Sequence, residues 1–231
     1  MKTTLFTSSL ALLLFAGCVD DSPWRIVGTA TVDSTTCGGM ISNTEQLGGS
    51  LDIAPASQQE TQYLLQFKML NEINPPLQLN TNMLPMTTVN AGDINVKEAI
   101  ISYKTTPAFV FKPAKESIAV GGVVPAAGST VQEISMNIIT QNAADTLLNG
   151  VAPGNTAELL ISLQFHGLQQ AGGDVYSTTV TYPIHVFNSG VLCTGNDTYG
   201  ALGICGTAGG QDGHRVCCVS DPTCKASTTT P

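Results

Sequence analysis

Seven cysteines and three histidines are the residues of this chain best equipped to bind a metal, carry a lipid or join one another. The cysteines are Cys18, Cys37, Cys193, Cys205, Cys217, Cys218 and Cys224; the histidines are His166, His185 and His214. Thiols pair as disulfides, hold zinc as thiolates or take an acyl group, and spacing helps to tell these fates apart. No Cys-x-x-Cys pair is present, so the spacing of a zinc site or a thiol-exchange centre is missing. Adjacent Cys217 and Cys218 would form a strained ring if bonded to each other, which assigns them different partners. The count is odd, so one cysteine needs a separate fate.

That cysteine is Cys18. The chain opens with Met1 and Lys2, then an apolar stretch from Leu5 to Ala16. A short cationic start, an apolar run and small residues before a break form an export signal. The run is too short to span a bilayer, which takes about 20 residues. Ala16 and Gly17 supply the small side chains, and Cys18 follows them directly. This resembles a bacterial lipobox, in which the cysteine is lipidated on sulfur with fatty acyl chains such as palmitate and becomes the first mature residue. The family most often places Leu three positions before the cysteine; here Phe15 stands there and Leu14 one place further out. In the enterobacterial sorting pattern an Asp directly after the cysteine retains the protein in the inner membrane. Here Val19 takes that place and Asp20 follows, which points to the outer membrane.

Removing residues 1–17 leaves 214 of 231 residues, enough for one large domain or a domain with an appendage. Lys2 is the only charge lost, so 8 basic and 17 acidic side chains remain, formally −9. Charged residues make up only 11% of the chain, and Ser, Thr, Asn, Gln and Gly carry the polarity. That composition suits an exported β-protein with Thr- and Ser-rich outer faces. Without a cluster of Lys and Arg, a nucleic-acid partner is not expected.

Alternation supplies the elements that would position any site. In "WRIVGTATVD", Trp24, Ile26, Gly28, Ala30 and Val32 share a face; in "TQYLLQFKML", Tyr63, Leu65, Phe67 and Met69 do. "INVKEAIISYKT" is β-branched but ambiguous in phase, and "ESIAVGGVV" and "VQEISMNIIT" flank a turn at "PAAGS". "NAADTLLNG" reads as a short helix with Asn142 as N-cap and Gly150 closing it. The clearest strands are "AELLISLQFH" and "YSTTVTYPIHVF", joined across Gly172-Gly173 as a hairpin. Seven or so short strands with few helices predict a mainly β fold, an immunoglobulin-like two-sheet β-sandwich.

This hairpin decides what the histidines can do. A turn at Gly172-Gly173 sets His166 against Thr179 and His185 against Leu160, about six residues apart along the sheet, so they do not form a ligand pair. No metal site is expected; "GNDTYG" and "GGQDGH" each offer one Asp, too few for a calcium loop. There is no Gly-x-Ser-x-Gly, Ser-x-x-Lys or His-Glu-x-x-His motif, so no catalytic residue is assigned and no cofactor is expected. For sugar recognition the aromatic candidates are Tyr103, Tyr176 and Tyr199, with Trp24 the single Trp.

From Val191 the alternation stops. "VLCTGNDTYGALGICGTAGGQDGHRVCCVSDPTC" packs five cysteines into 34 residues, and so small a segment needs disulfides to hold it. Five cysteines cannot all pair among themselves, so full oxidation of Cys37, Cys193, Cys205, Cys217, Cys218 and Cys224 requires a bridge from the module to Cys37. Cys18 together with this tail, including Gly210-Gln211-Asp212-Gly213, resembles the cysteine-rich lipoproteins of myxobacteria and related groups. The resemblance implies residence in the envelope and brings no catalytic residues with it.

The expected organisation is a lipoprotein signal peptide over 1–17, an anchor and spacer over 18–23 and a sandwich over 24–190. A small C-terminal disulfide-rich module over 191–224 and a disordered tail over 225–231 follow. The expected role is that of a lipid-anchored, non-catalytic binding or structural protein of the bacterial cell envelope. Its partners would be the membrane, through the anchor, and another envelope protein or a polysaccharide. A carbohydrate-binding or adhesive module is the alternative, with an envelope hydrolase behind it.

Overall fold

The computed structural model describes residues 22–32, 45–57, 61–73, 92–126, 131–195, 197–199, 210–214 and 216–221. The expected signal peptide and lipobox, and Cys18, Cys37, Cys205 and Cys224, lie outside them. Two sheets pack face to face. The smaller is β1 (Trp24–Thr31), β3 (Leu64–Asn71) and β6 (Gln132–Asn137), in the order β1-β3-β6. The larger runs β2-β9-β7-β4-β5, from Gly49–Asp52, Val180–Phe187, Thr156–Gln169, Ile94–Thr106 and Glu116–Val124, with β8 (Asp174–Tyr176) paired to β7. All pairings are antiparallel except β2 with β9.

The core lies where alternation puts it. Tyr63, Leu65, Phe67 and Met69 of the small sheet face Leu159, Ile161, Leu163 and Phe165 of β7, all at most 2% exposed. Phe67 meets Phe165 edge-on at 5.3 Å, and Trp24 leans on Phe165 at 6.2 Å. Such aromatic contacts add to the area they bury.

Three local readings are corrected. In β1 a bulge at Val27 shifts the register, so beyond it Thr29, not Gly28, stands opposite Phe67. The helix α1, Gln141–Gly150, is capped by Thr140, whose hydroxyl accepts from Ala143 N at 3.2 Å; Asn142 lies inside the first turn. Gly150 is its last residue, and a Cβ there would stand 2.8 Å from the Phe109 ring. In the last hairpin Gly172 and Gly173 do make the turn, with φ of +97° and +106°. The register, however, sets His185 against Glu158 and His166 against Tyr176. The turn takes in more residues than a two-residue hairpin, and β8 ends before β9 begins, so the pairing slides.

Candidate functional site

Two clusters of polar side chains stand out: one where the C-terminal module meets the sandwich, the other on the outer face of the large sheet.

The first is built from Gln211 and Asp212. The backbone of Gln211 bridges Leu51 on β2, with Asp52 N donating to Gly210 O at 2.9 Å and Asp212 N to Ser50 O at 2.8 Å. The buried Gln211 amide then crosses to the other sheet. It accepts from Leu64 N at 2.9 Å and donates to Leu64 O at 2.8 Å. A side-chain amide thus replaces a peptide group at the start of β3, just beyond the last residue of β1 paired to it, and one residue ties both sheets together. Asp212 does the same with charge. Its carboxylate accepts from Tyr63 Oη at 2.8 and 3.0 Å, from Gln46 Nε2 at 3.0 Å and from Ser50 N at 2.9 Å. Tyr182 Oη lies 3.2 Å from Tyr63 Oη. Burial, reinforced by Tyr182 and Asp212, holds the Tyr63 phenol protonated well above the ordinary tyrosine range. Gly210 is sterically required: a Cβ there would meet Asp52 O at 2.8 Å, and φ is +114°.

Disulfides hold this segment. Cys193 and Cys218 are bonded, with Cα atoms 5.5 Å apart. Cys217 is disulfide-bonded too, so the adjacent cysteines take different partners. The expected bridge to Cys37 lies outside the described residues. Asp197 approaches both Cys193 and Cys218. The two sulfurs are spent on each other and offer no thiolate, while the Asp197 carboxylate accepts from Ser220 and from Thr198 N.

The second cluster is a row across β5, β4, β7 and β8. Ser117 donates to Glu98; Glu98 bonds His166 Nδ1 at 2.9 Å; His166 Nε2 bonds Asp174 at 2.9 Å. The Tyr176 ring stacks on His166 at 4.8 Å. The bond to Asp174, with the one to Glu98, raises His166 above the usual histidine range. Glu98 is lowered by Ser117 first and His166 second. A carboxylate at each ring nitrogen is what an imidazolium binds. A general base must reach its nucleophile, and here the serine hydroxyl turns to Glu98 while the ring bonds only carboxylates. The row is a cross-strand brace. His185 is paired similarly, with Glu158 at 2.6 Å from Nδ1.

Of the three candidate tyrosines for stacking a sugar, only Tyr176 is available, at 46% exposed. Tyr103 is buried and donates to Ile138 O at 3.0 Å. Tyr199 is buried and donates to Ala54 O and Val191 O. His214 belongs to the turn after Asp212, where its carbonyl accepts from Gly210 N at 2.7 Å. A surface groove of about 230 Å³ beside Gly28, Glu45 and Leu47 reaches Gln46 and Tyr182 of the first cluster; another of about 340 Å³ between Gly122 and Ile134 shares no residue with either cluster.

The sequence showed Gln211 and Asp212 only as part of a Gly-rich, cysteine-rich segment and gave no sign of their long-range bonds, nor of Glu98, Ser117 and Asp174 as a cluster. The flanking glycines were the available signal for the first pair. The second cluster was hidden by the bulge at Lys97, which breaks the phase of β4.

Comparison with protein-family models, curated proteins and solved structures gives no match to this chain in any of the three. Among the described residues no helix is long and apolar enough to cross a membrane.

Proposed function

We propose that this chain is a lipid-anchored protein of the bacterial cell envelope, outer-membrane by its sorting residues, with a non-catalytic binding or structural role. The observation that carries the reading is Ala16-Gly17-Cys18 closing a short apolar run behind Lys2. Disulfide bonding at Cys193, Cys217 and Cys218 supports it, because such bonds persist in exported proteins and rarely in the cytosol. Acyl chains on Cys18 give attachment that each buried methylene strengthens by about 0.8 kcal/mol. A sandwich bolted to its own C-terminal module offers a rigid surface for another envelope protein or a polysaccharide, with no cofactor and no nucleic acid involved. A carbohydrate reading would rest on Tyr176 alone.

The test is processing. Globomycin, which blocks lipoprotein signal peptidase, should make an unprocessed precursor accumulate, and Cys18→Ala should abolish globomycin sensitivity. An epitope after Lys225 then reports the side of the membrane by antibody and protease access on intact cells. Processing indifferent to both globomycin and Cys18→Ala overturns the lipoprotein reading.

A further inference from the structure

The two ends of the sandwich differ, and the strand directions identify them. β1 starts at Trp24; β3 ends at Asn71 beside it; β4 starts at Ile94 opposite Gln169, the last residue of β7. Hydrogen bonds join these termini into one pole: Glu72 N to Pro23 O, Thr178 N to Trp24 O, Gln170 N to Asp93 O, and Asn71 Nδ2 to Gly92 O and Val124 O. Ser22 belongs there too, its hydroxyl donating to the carbonyls of Trp24 and Tyr176. The opposite pole holds Leu64, Asp52, helix α1 and the module segment Gly210–Asp212. Trp24 pairs with Asn71, and seven strand steps along β3 separate that level from Leu64, roughly 23 Å at about 3.3 Å per residue.

We infer that the Trp24 pole lies against the lipid surface, and that the module and helix α1 form the outward, partner-facing end. The inference rests on lipidation of Cys18 as proposed above. Only Val19, Asp20 and Asp21 separate Cys18 from Ser22. Four Cα steps span at most about 14 Å when fully extended, about three-fifths of the distance between the poles. Once the acyl chains are in the bilayer, Ser22 cannot leave the headgroup region by more than that reach.

Apolar side chains at this pole are compatible with lipid but do not single it out, since Val110 just past β4 and Leu192 and Val219 of the module are 46% to 76% exposed. Val123, Val131, Leu168 and Tyr176 are 38% to 47% exposed at this end, and Val123 and Leu168 flank Asn95 in one row. Tyr176 carries an apolar ring with a polar tip, which suits a headgroup boundary. The charges here are mixed: Arg25 pairs with Glu72 at 3.3 Å, with Lys97, Asp93 and Asp174 nearby. Among the described residues no basic patch selects anionic lipid, so the tether supplies both the binding and the limit on orientation.

Hydrogen exchange on the acylated full-length mature protein in phosphatidylcholine–phosphatidylethanolamine vesicles tests this, against a form lacking Cys18 mixed with the same vesicles. Amides of 92–95 and 168–176 should exchange several-fold more slowly in the tethered form, with 141–150 and 210–214 unchanged. Protection of the module or helix instead, or of neither pole, overturns the orientation. The mass of the Cys18 peptide in the same digest separates the two claims. An unacylated peptide overturns the functional reading and this inference with it; an acylated one leaves any failure to the inference alone.

Discussion

Gln211 and Leu64, 147 residues apart, exchange a reciprocal pair of hydrogen bonds, side-chain amide to peptide group, at 2.9 and 2.8 Å. This pair closes one end of the sandwich. Because Gln211 also bridges Leu51 through its backbone, the C-terminal module is part of the fold's closure and not an appended tail.

Gln211→Ala should therefore destabilise the whole sandwich. The substitution strands a half-buried N–H and C=O on Leu64, and each unsatisfied group costs about 1–3 kcal/mol if water does not reach it. The expected loss is about 2–4 kcal/mol, read as a lower urea midpoint. A midpoint within error of the parent would mean that the bonds are replaced by water.

Two glycines give opposite expectations. A Cβ on Gly49 would fall 1.6 Å from Tyr63 Oη and 2.5 Å from Asp212 Oδ1, so Gly49→Ala must push the Tyr63–Asp212 pair apart. It should cost at least about 2 kcal/mol. Gly121 has nothing within 4 Å and no left-handed φ, so Gly121→Ala should be neutral or stabilising by up to about 1 kcal/mol. Thermal melts of the two variants side by side check the contrast.

The Cys193–Cys218 bridge closes a separation of 25 residues. In the chain-entropy treatment its loss costs about 3.5 kcal/mol. Cys193→Ser with Cys218→Ser should lower the melting temperature, and limited proteolysis should then cut first between residues 191 and 221. First cuts within β4 or β7 would contradict the assignment of this bridge to holding the segment around residues 191–221.

The histidine brace makes stability depend on pH. His166 is raised in the folded state, so its contribution is complete below the unfolded value of about 6.5 and fades as pH climbs through the raised one. Glu98 is lowered, so its contribution is present above the ordinary carboxylate value and is lost as pH falls through the lowered one. His166→Gln should thus narrow its deficit against the parent as pH rises from about 6 into the alkaline range. A deficit constant across that range would show that charge plays no part.

The sandwich was legible because β3, β7 and β9 each bury one face, and a period of two with a buried face leaves no freedom of register. Bulges at Val27 and Lys97 each insert a residue that flips the phase, which is why β1 misled beyond Val27 and β4 was ambiguous. The cap of α1 was missed because Thr140 and Asn142 are both good capping residues two positions apart. Gly210-Gln211-Asp212-Gly213 stood out only as part of a Gly-rich segment, and its partners, Leu64 and Tyr63, lie about 150 residues earlier in the chain. No local pattern encodes that distance. His166 between Glu98 and Asp174 depends on a register that a slide of two residues would have undone.

The anchor is the claim on which the functional reading stands, and the mass of the N-terminal peptide of the protein recovered from a bacterial membrane fraction tests it most directly. The account predicts a chain beginning at Cys18 and heavier than its sequence by the acyl groups on that cysteine. A chain beginning elsewhere, or at an unmodified Cys18, would contradict it.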